Sequence, residues 1–301
     1  MSNIYTFYTV DVFTDRTFGG NPLAVLPAAS GLNSQQMQKI AREFNLSETA
    51  FILPSQRKEA SYRLRIFTPQ VELAFAGHPT IGTAYVLAIS GLIPTNQDTT
   101  TILLEENVGI IPVRINFNSG FPVYTELAAV QMPEYRNQAI ELEKLSTMLS
   151  LDCQDILSVE AVSSGLPFLF VELTSRESLK RANLKIELWQ DLLSDCWASS
   201  LYLFYYNRLT TGAPIYARMF APGLGIREDP ATGSAATALA GFLSRDFLQS
   251  ETTLHWQIYQ GEEMERPSLI KIEADIRDGN VAAIRVGGSC VLVMQGIIKL
   301  D

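Results

Sequence analysis

Cysteine is scarce in this chain. Cys153, Cys196 and Cys290 stand far apart with no Cys-x-x-Cys pair. That leaves no disulfide framework and no thiolate zinc site, and it suits a reducing compartment, so a cytoplasmic protein is expected. The Asn45–Ser47 sequon then carries no glycosylation reading. Histidine is scarcer still: His78 and His255 are the whole complement, without metal-ligand spacing, and no metal is expected. Lys and Arg form no basic run, and the net charge is −9, which argues against nucleic acid as a partner. It does not argue against a small anionic metabolite, because the local charge of a cleft outweighs the total. No apolar stretch approaches the roughly 18 residues of a membrane span. The first residues enter a strand-like alternation without the apolar core of a secretory leader, so no membrane contact is expected. No Walker loop and no Gly-x-Ser-x-Gly elbow occurs, and the segment Gly223–Glu228 (GLGIRE) lacks the third glycine of a dinucleotide loop.

What is present is a pattern written twice. The 301 residues are 47% apolar and 18% charged, enough for two packed domains. Gly20–Pro22 (GNP) leads into LAV, as Gly165–Pro167 (GLP) leads into FLFV. Arg65–Pro69 (RIFTP) returns as Arg218–Pro222 (RMFAP). Each copy is followed by a glycine opening an Ala-rich helical run, GHPTIGTAYVLA from Gly77 and GSAATALAGFL from Gly233. The three matches recur in order, but two copies of roughly 150 residues are too few for a solenoid. They fit two similar domains related by a pseudo-twofold axis. The reading is α+β, each domain a strongly curved, mainly antiparallel sheet wrapped around a central helix. The first domain is expected to span 1–120 with about 287–301 returning to complete it, and the second to span 121–286.

The helical runs carry the reasoning towards a site. Both are apolar or small on every side, so each must be enclosed. Pro79 is placed at the first helical position, where its missing N–H costs nothing. In SQQMQKIAREFN, Met37, Ile40, Ala41 and Phe44 recur with helical spacing, with Asn33 or Ser34 as cap. A helix N-terminus leaves unpaired N–H groups and about half a positive charge. Two such ends aimed into one interdomain cleft form an anion cradle without an arginine. Gly77, His78 and Thr80 stand at one end, and Asp229, Thr232, Gly233 and Ser234 at the other; as ordinary helix caps these residue types would serve equally well. Glu48, in NLSETAFIL, precedes an apolar strand and reads either as a solvated carboxylate or as a base. A carboxylate, an imidazole, a second carboxylate and two helix ends suit proton transfer at a carbon beside a carboxylate or conjugated system. A carboxyl sequestered from water can act first as base and then as acid.

On DVFTDRTFGGNPLAV, NLSETAFIL, RIFTPQVELAFAGHPT and RMFAPGLGIREDPATGSAATALAGFL, the chain resembles the phenazine-biosynthesis isomerase-like (PhzF-like) family, which has the diaminopimelate epimerase-type fold. The resemblance covers essentially the whole chain. It implies a homodimer working without metal or organic cofactor, with the site between the domains. It implies Glu48 as acid/base, with His78, Asp229 and Ser234 lining the pocket, and Gly77, Thr80, Thr232 and Gly233 as substrate-binding positions. Epimerases of this fold use two cysteines, whose places fall at Ala76 and Thr232 here, so a thiol pair is absent. The expected activity is a cofactor-independent isomerisation that moves a proton between carbons of a small carboxylate-bearing metabolite. Epimerisation, dehydration of a related acid, and a non-catalytic metabolite-binding dimer are the alternatives.

Overall fold

The computed structural model describes residues 3–249 and 251–300. The chain divides into two units, Met1–Val130 with Arg285–Asp301, and Gln131–Ile284. The first crossing lies ten residues later than expected from the sequence. The strand Phe121–Ala128 (β8 below) is the cause: it pairs with the strand before it and with residues 285–288, and so stays in the first unit.

The first unit runs β1 (Asn3–Val12), β2 (Asn21–Leu26), α1 (Ser34–Phe44), β3 (Glu48–Leu53), β4 (Tyr62–Phe67), β5 (Glu72–Leu73), α2 (Gly77–Ile89), β6 (Thr99–Glu106), β7 (Gly109–Asn118) and β8 (Phe121–Ala128). The second runs β9 (Glu134–Arg136), α3 (Leu142–Leu149), β10 (Ile156–Ser163), β11 (Pro167–Leu173), α4 (Arg176–Arg181), α5 (Ile186–Leu193), β12 (Ser200–Tyr206), β13 (Ile215–Ala221), β14 (Ile226–Asp229), α6 (Gly233–Ser244), β15 (Thr252–Gln260) and β16 (Ser268–Arg277). β17 (Asn280–Gly288) carries the chain back, and β18 (Cys290–Leu300) lies antiparallel on β1. The polar segment around Glu134 contributes β9, which pairs antiparallel with β10.

Strand pairing repeats from unit to unit. β2 is parallel to β3, and β11 to β12. β3 is antiparallel to β4, and β12 to β13. β4 takes a short antiparallel neighbour, β5, and a parallel one, β6; β13 takes β14 and β15 in the same senses. Each parallel step needs a crossover, and the chain between the strands supplies it.

The central helices are enclosed, as apolarity on all sides requires. Every residue of α6 is buried, and α2 is buried from Gly77 to Ala84 and from Val86 to Ala88. α2 touches β1, β2, β3, β7 and β8; α6 touches β10, β15 and β16. At Gly82 a Cβ would come within 2.7 Å of both Leu23 and Val12, so only glycine lets β1 and β2 close onto that helix. Pro79 is the third residue of α2, since the helix starts at Gly77. The placement is harmless for the same reason as the first position, because the opening N–H groups have no acceptor within the helix.

Local signals set where the site residues fall. α1 is capped by Asn33, whose Oδ1 accepts from Gln36 N–H at 2.9 Å while Gln36 Oε1 accepts from Asn33 N–H at 3.0 Å. Its far end stops at Asn45, left-handed at φ 51°, which turns the chain so that Glu48 becomes the first residue of β3. Met37, Ile40 and Phe51 pack with Leu26 and Phe67 beneath α1; in the second unit Leu145, Leu169, Leu201 and Phe220 form the corresponding core.

Candidate active site

Glu48 is not a surface carboxylate: it is 7% exposed, and His78 is 5% exposed. Parallel pairing sets Glu48 beside Leu23 on β2, two residues from Asn21. His78, second residue of α2, faces both. Its Nε2 lies 3.3 Å from Glu48 Oε2, and its Nδ1 lies 3.3 Å from Asn21 Nδ2. An amide NH2 can only donate, so Nδ1 is the acceptor and the ring proton sits on Nε2, towards the carboxylate. Burial pushes His78 down to about 3, so the imidazole is neutral across the physiological range. The positive end of α2 works in the same direction. The Glu48–His78 contact is not aligned as a hydrogen bond. Contacts of this kind tighten when a ligand completes a site.

The mouth of α2 has no side-chain cap. Its N-cap residue is Ala76, and only Thr80 N–H among the opening groups turns back, to Ala76 O at 3.3 Å. Ordinary capping therefore does not explain Gly77 and His78. Thr80 is committed elsewhere: its hydroxyl lies 2.7 Å from Ala76 O and 2.6 Å from Glu106 Oε1.

In the second unit Asp229 ends β14 at 5% exposure, and its Oδ2 accepts from the Thr232 hydroxyl at 2.6 Å. Thr232 is the N-cap residue of α6 but its side chain does not cap the helix. Its N–H donates to Gln260 Oε1 at 3.2 Å. So Thr80 and Thr232, expected as substrate-binding residues, both spend their hydroxyls inside their own units. Gly233 and Ser234 open α6, as Gly77 and His78 open α2. Ala76 and Thr232 are the N-cap residues of the two central helices.

Sequence reasoning missed Asn21, Glu106 and Gln260. A signal existed for Asn21, since the first copy reads GNP where the second reads GLP. Glu106 and Gln260 are visible only through strand register. Among the described residues no cluster of three or more His, Cys, Asp or Glu is arranged to hold a metal ion, and no helix is long and apolar enough to cross a membrane.

Known proteins bear on this geometry. A family profile described as phenazine biosynthesis-like protein matches residues 10–296. An uncharacterized isomerase of Pasteurella multocida is 36% identical over 297 residues, 97% of this chain and 93% of its own. The trans-2,3-dihydro-3-hydroxyanthranilate isomerase of Pseudomonas chlororaphis is 32% identical over 300 residues, 99% of this chain and 100% of its own. The crystal structure of a Bacillus anthracis phenazine biosynthesis protein of the PhzF family aligns over 98% of this chain and 99% of its own with a TM-score of 0.87, at 23% identity, which shows a shared fold. The class these relatives define is that of isomerases. The chain belongs to the phenazine biosynthesis-like, or PhzF-like, family.

Proposed function

We propose that the protein is an isomerase that moves a proton between carbons of a small carboxylate-bearing metabolite, with Glu48 as the acid/base group and no metal or organic cofactor taking part. One observation carries the reading: a buried carboxylate, backed by a neutral imidazole of fixed tautomer, lies at the uncapped N-terminus of a buried helix. Neutrality of His78 matters to the chemistry. An imidazolium would hold Glu48 as an ion pair and blunt it as a base, whereas a neutral N–H orients the carboxylate and leaves it reactive. Glu48 takes the proton, and the N–H groups of Gly77 and His78 stabilise negative charge as it develops on the substrate. The proton then returns from Glu48 to a second carbon. Asp229, Gly233 and Ser234 are proposed as further substrate contacts. That they serve the same ligand as Glu48 is the reading of the duplicated sequence, and a double-mutant cycle between Glu48→Gln and Ser234→Ala measures it.

The relative that isomerises trans-2,3-dihydro-3-hydroxyanthranilate supplies the first compound to try. Incubation in deuterated water, followed by NMR, is expected to place deuterium at a new carbon of the product. Deuterium at the original carbon would instead indicate epimerisation, and loss of water a dehydratase. Saturable binding of the compound with no exchange of solvent deuterium into it would make the protein a binder. Activity unaffected by a chelator is the expected outcome for metal independence. A homodimer is also proposed, supported by the exposed Leu292, Met294 and Ile297 along β18; sedimentation equilibrium tests it.

A further inference from the structure

Two buried residues that no part of the proposed chemistry uses turn out to hold one equivalent place. In the first unit β4 runs parallel to β6 with Arg63 beside Glu105, which sets Leu64 beside Glu106. In the second, β13 runs parallel to β15 with Ala217 beside Gln260. Arg65 of RIF corresponds to Arg218 of RMF, so Leu64 corresponds to Ala217, and Glu106 to Gln260. Each ends its strand, each is at most 4% exposed, and each reaches the opening turn of its central helix.

Gln260 uses every bond an amide can make. Its Nε2 donates to Asp229 O at 2.7 Å and to Thr232 Oγ1 at 3.0 Å, while Oε1 accepts from Thr232 N–H at 3.2 Å and Tyr202 O–H at 3.3 Å. Reversing the amide would face NH2 against the Thr232 N–H and oxygen against a carbonyl, so its orientation is fixed. Thr232 Oγ1 receives a proton from Gln260 and therefore gives its own to Asp229 Oδ2. The direction of donation runs one way, from Tyr202 through Gln260 and Thr232 to the Asp229 carboxylate. Burial pushes the Tyr202 phenol up, which keeps the first donor protonated. The turn is pinned again where the Ser268 hydroxyl donates to Pro230 O at 2.9 Å.

Glu106 does the same work with a carboxyl. The Thr80 hydroxyl stands at short distance from two oxygens, Ala76 O and Glu106 Oε1, yet holds one proton. Two contacts of this length need two protons, and the second belongs to Glu106: its O–H donates to Thr80, which donates to Ala76 O. The other carboxyl oxygen, Oε2, is buried without a hydrogen-bond partner, a poor setting for a charge. We propose that Glu106 and Gln260 are equivalent positioning residues that hold the N-terminal turns of α2 and α6, and that Glu106 does so as a neutral carboxylic acid. Burial accords with this, since it raises Glu106 to about 8 against the opposing bond from Thr80. Among the ionisable groups on the surrounding elements, Arg63 acts on Glu105 and Glu72, Arg65 pairs with Glu72, and His78 faces Glu48. Charge plays no part beside burial and Thr80 in setting Glu106.

The test is an exchange of the two side chains. Stability to urea and turnover are followed from pH 5 to pH 9 for wild type, Glu106→Gln, Gln260→Glu, Thr232→Ser and Thr232→Val. Glu106→Gln keeps a neutral side chain of the same shape. It is expected to retain turnover within threefold at pH 7 and to lose the alkaline fall in stability that wild type shows as pH rises towards 8. Gln260→Glu is expected to gain such a fall in stability, and to turn over within threefold of wild type at pH 5 but at least tenfold more slowly at pH 8. Thr232→Ser should match wild type in kcat, and Thr232→Val should lose at least tenfold in kcat with KM within threefold. A pH profile for Glu106→Gln that overlays wild type would overturn the proposal, as would a Gln260→Glu profile with no new alkaline limb. Should Gln260→Glu not fold, carbon-13 NMR of the Glu106 carboxyl in the wild-type protein decides, since a carboxylate signal at pH 6 sinks the idea. Only the turnover readouts rest on the proposed isomerase reading. The stability and NMR readouts stand even if no substrate is ever found, so the two failures are separable.

Discussion

Set side by side, the two units share a scaffold and differ in what it carries. Arg65 grips Glu72 with two nitrogens and lies over Phe67 at 5.1 Å; Arg218 grips Glu228 in the same way and lies over Phe220 at 5.0 Å. Both central helices are buried and neither has a side-chain cap. At the mouths the likeness stops. Glu48 lies opposite Leu23 in the parallel pair β2/β3, and the corresponding register, Phe168 opposite Ser200, sets a serine where the first unit has its carboxylate. His78 corresponds to Ser234 and Asn21 to Leu166 by alignment of the repeated motifs. The packing that holds a helix end in place is repeated, while Glu48, His78 and Asn21 gather in one copy. A fold-level repeat is thus compatible with a one-base reaction, and the residues that break the repeat are where the chemistry is to be sought.

The largest expected effect breaks this comparison at its centre. Glu48→Gln should lower turnover by about 10³-fold with folding intact, and Ser200→Ala should change it less than threefold; steady-state kinetics on the two variants check it. Equal losses would mean that the second copy shares the chemistry. Next, the matching arginines should differ in weight. Arg218 is nearly buried and also donates to Leu179 O, Lys180 O and Ala182 O, so Arg218→Met should cost about 3 kcal/mol in urea unfolding. Arg65→Met, on a more exposed pair, should cost about 1 kcal/mol.

His78 gives a smaller, pH-dependent effect. Its folded value is depressed to about 3 from 6.5, so the unfolded chain takes up the proton first as pH falls. The stability it contributes is present above pH 6.5 and is lost as pH drops towards 3. The loss reaches about 3 kcal/mol by pH 4. His78→Gln should flatten that limb in acid titrations followed by circular dichroism. Smallest is Asn21→Leu, which copies the second unit into the first. It frees the imidazole tautomer and should lower kcat by about tenfold, by analogy with partners that orient a histidine from behind. An unchanged kcat would show that the tautomer is set without Asn21.

Much of this was legible in the sequence because it rests on repetition and periodicity. Helices apolar all round had to be enclosed, and α2 and α6 are. Glu48 and His78 came from short motifs, and the structure brings them into contact. What was not legible depends on which strand lies beside which. Thr80 and Thr232 look like ligand-binding hydroxyls in the sequence, and only the register of β6 and β15 reveals the buried side chains that claim them. Asn21 reads as part of a turn until parallel pairing sets β2 beside the strand that carries Glu48. The first boundary lies later than expected because β8 hydrogen-bonds backwards to β7, a pairing that the local sequence does not show.

The return of β18 to β1 also governs how the chain matures. The pairing of Tyr5 with Ile298 joins the strand that opens the first unit to one made after the whole of the second unit. During synthesis the half holding Glu48 waits for its final strand while the inserted half, already contiguous, can close. The inserted unit is thus the one positioned to close first, and the strands around the Glu48–His78 contact are completed afterwards.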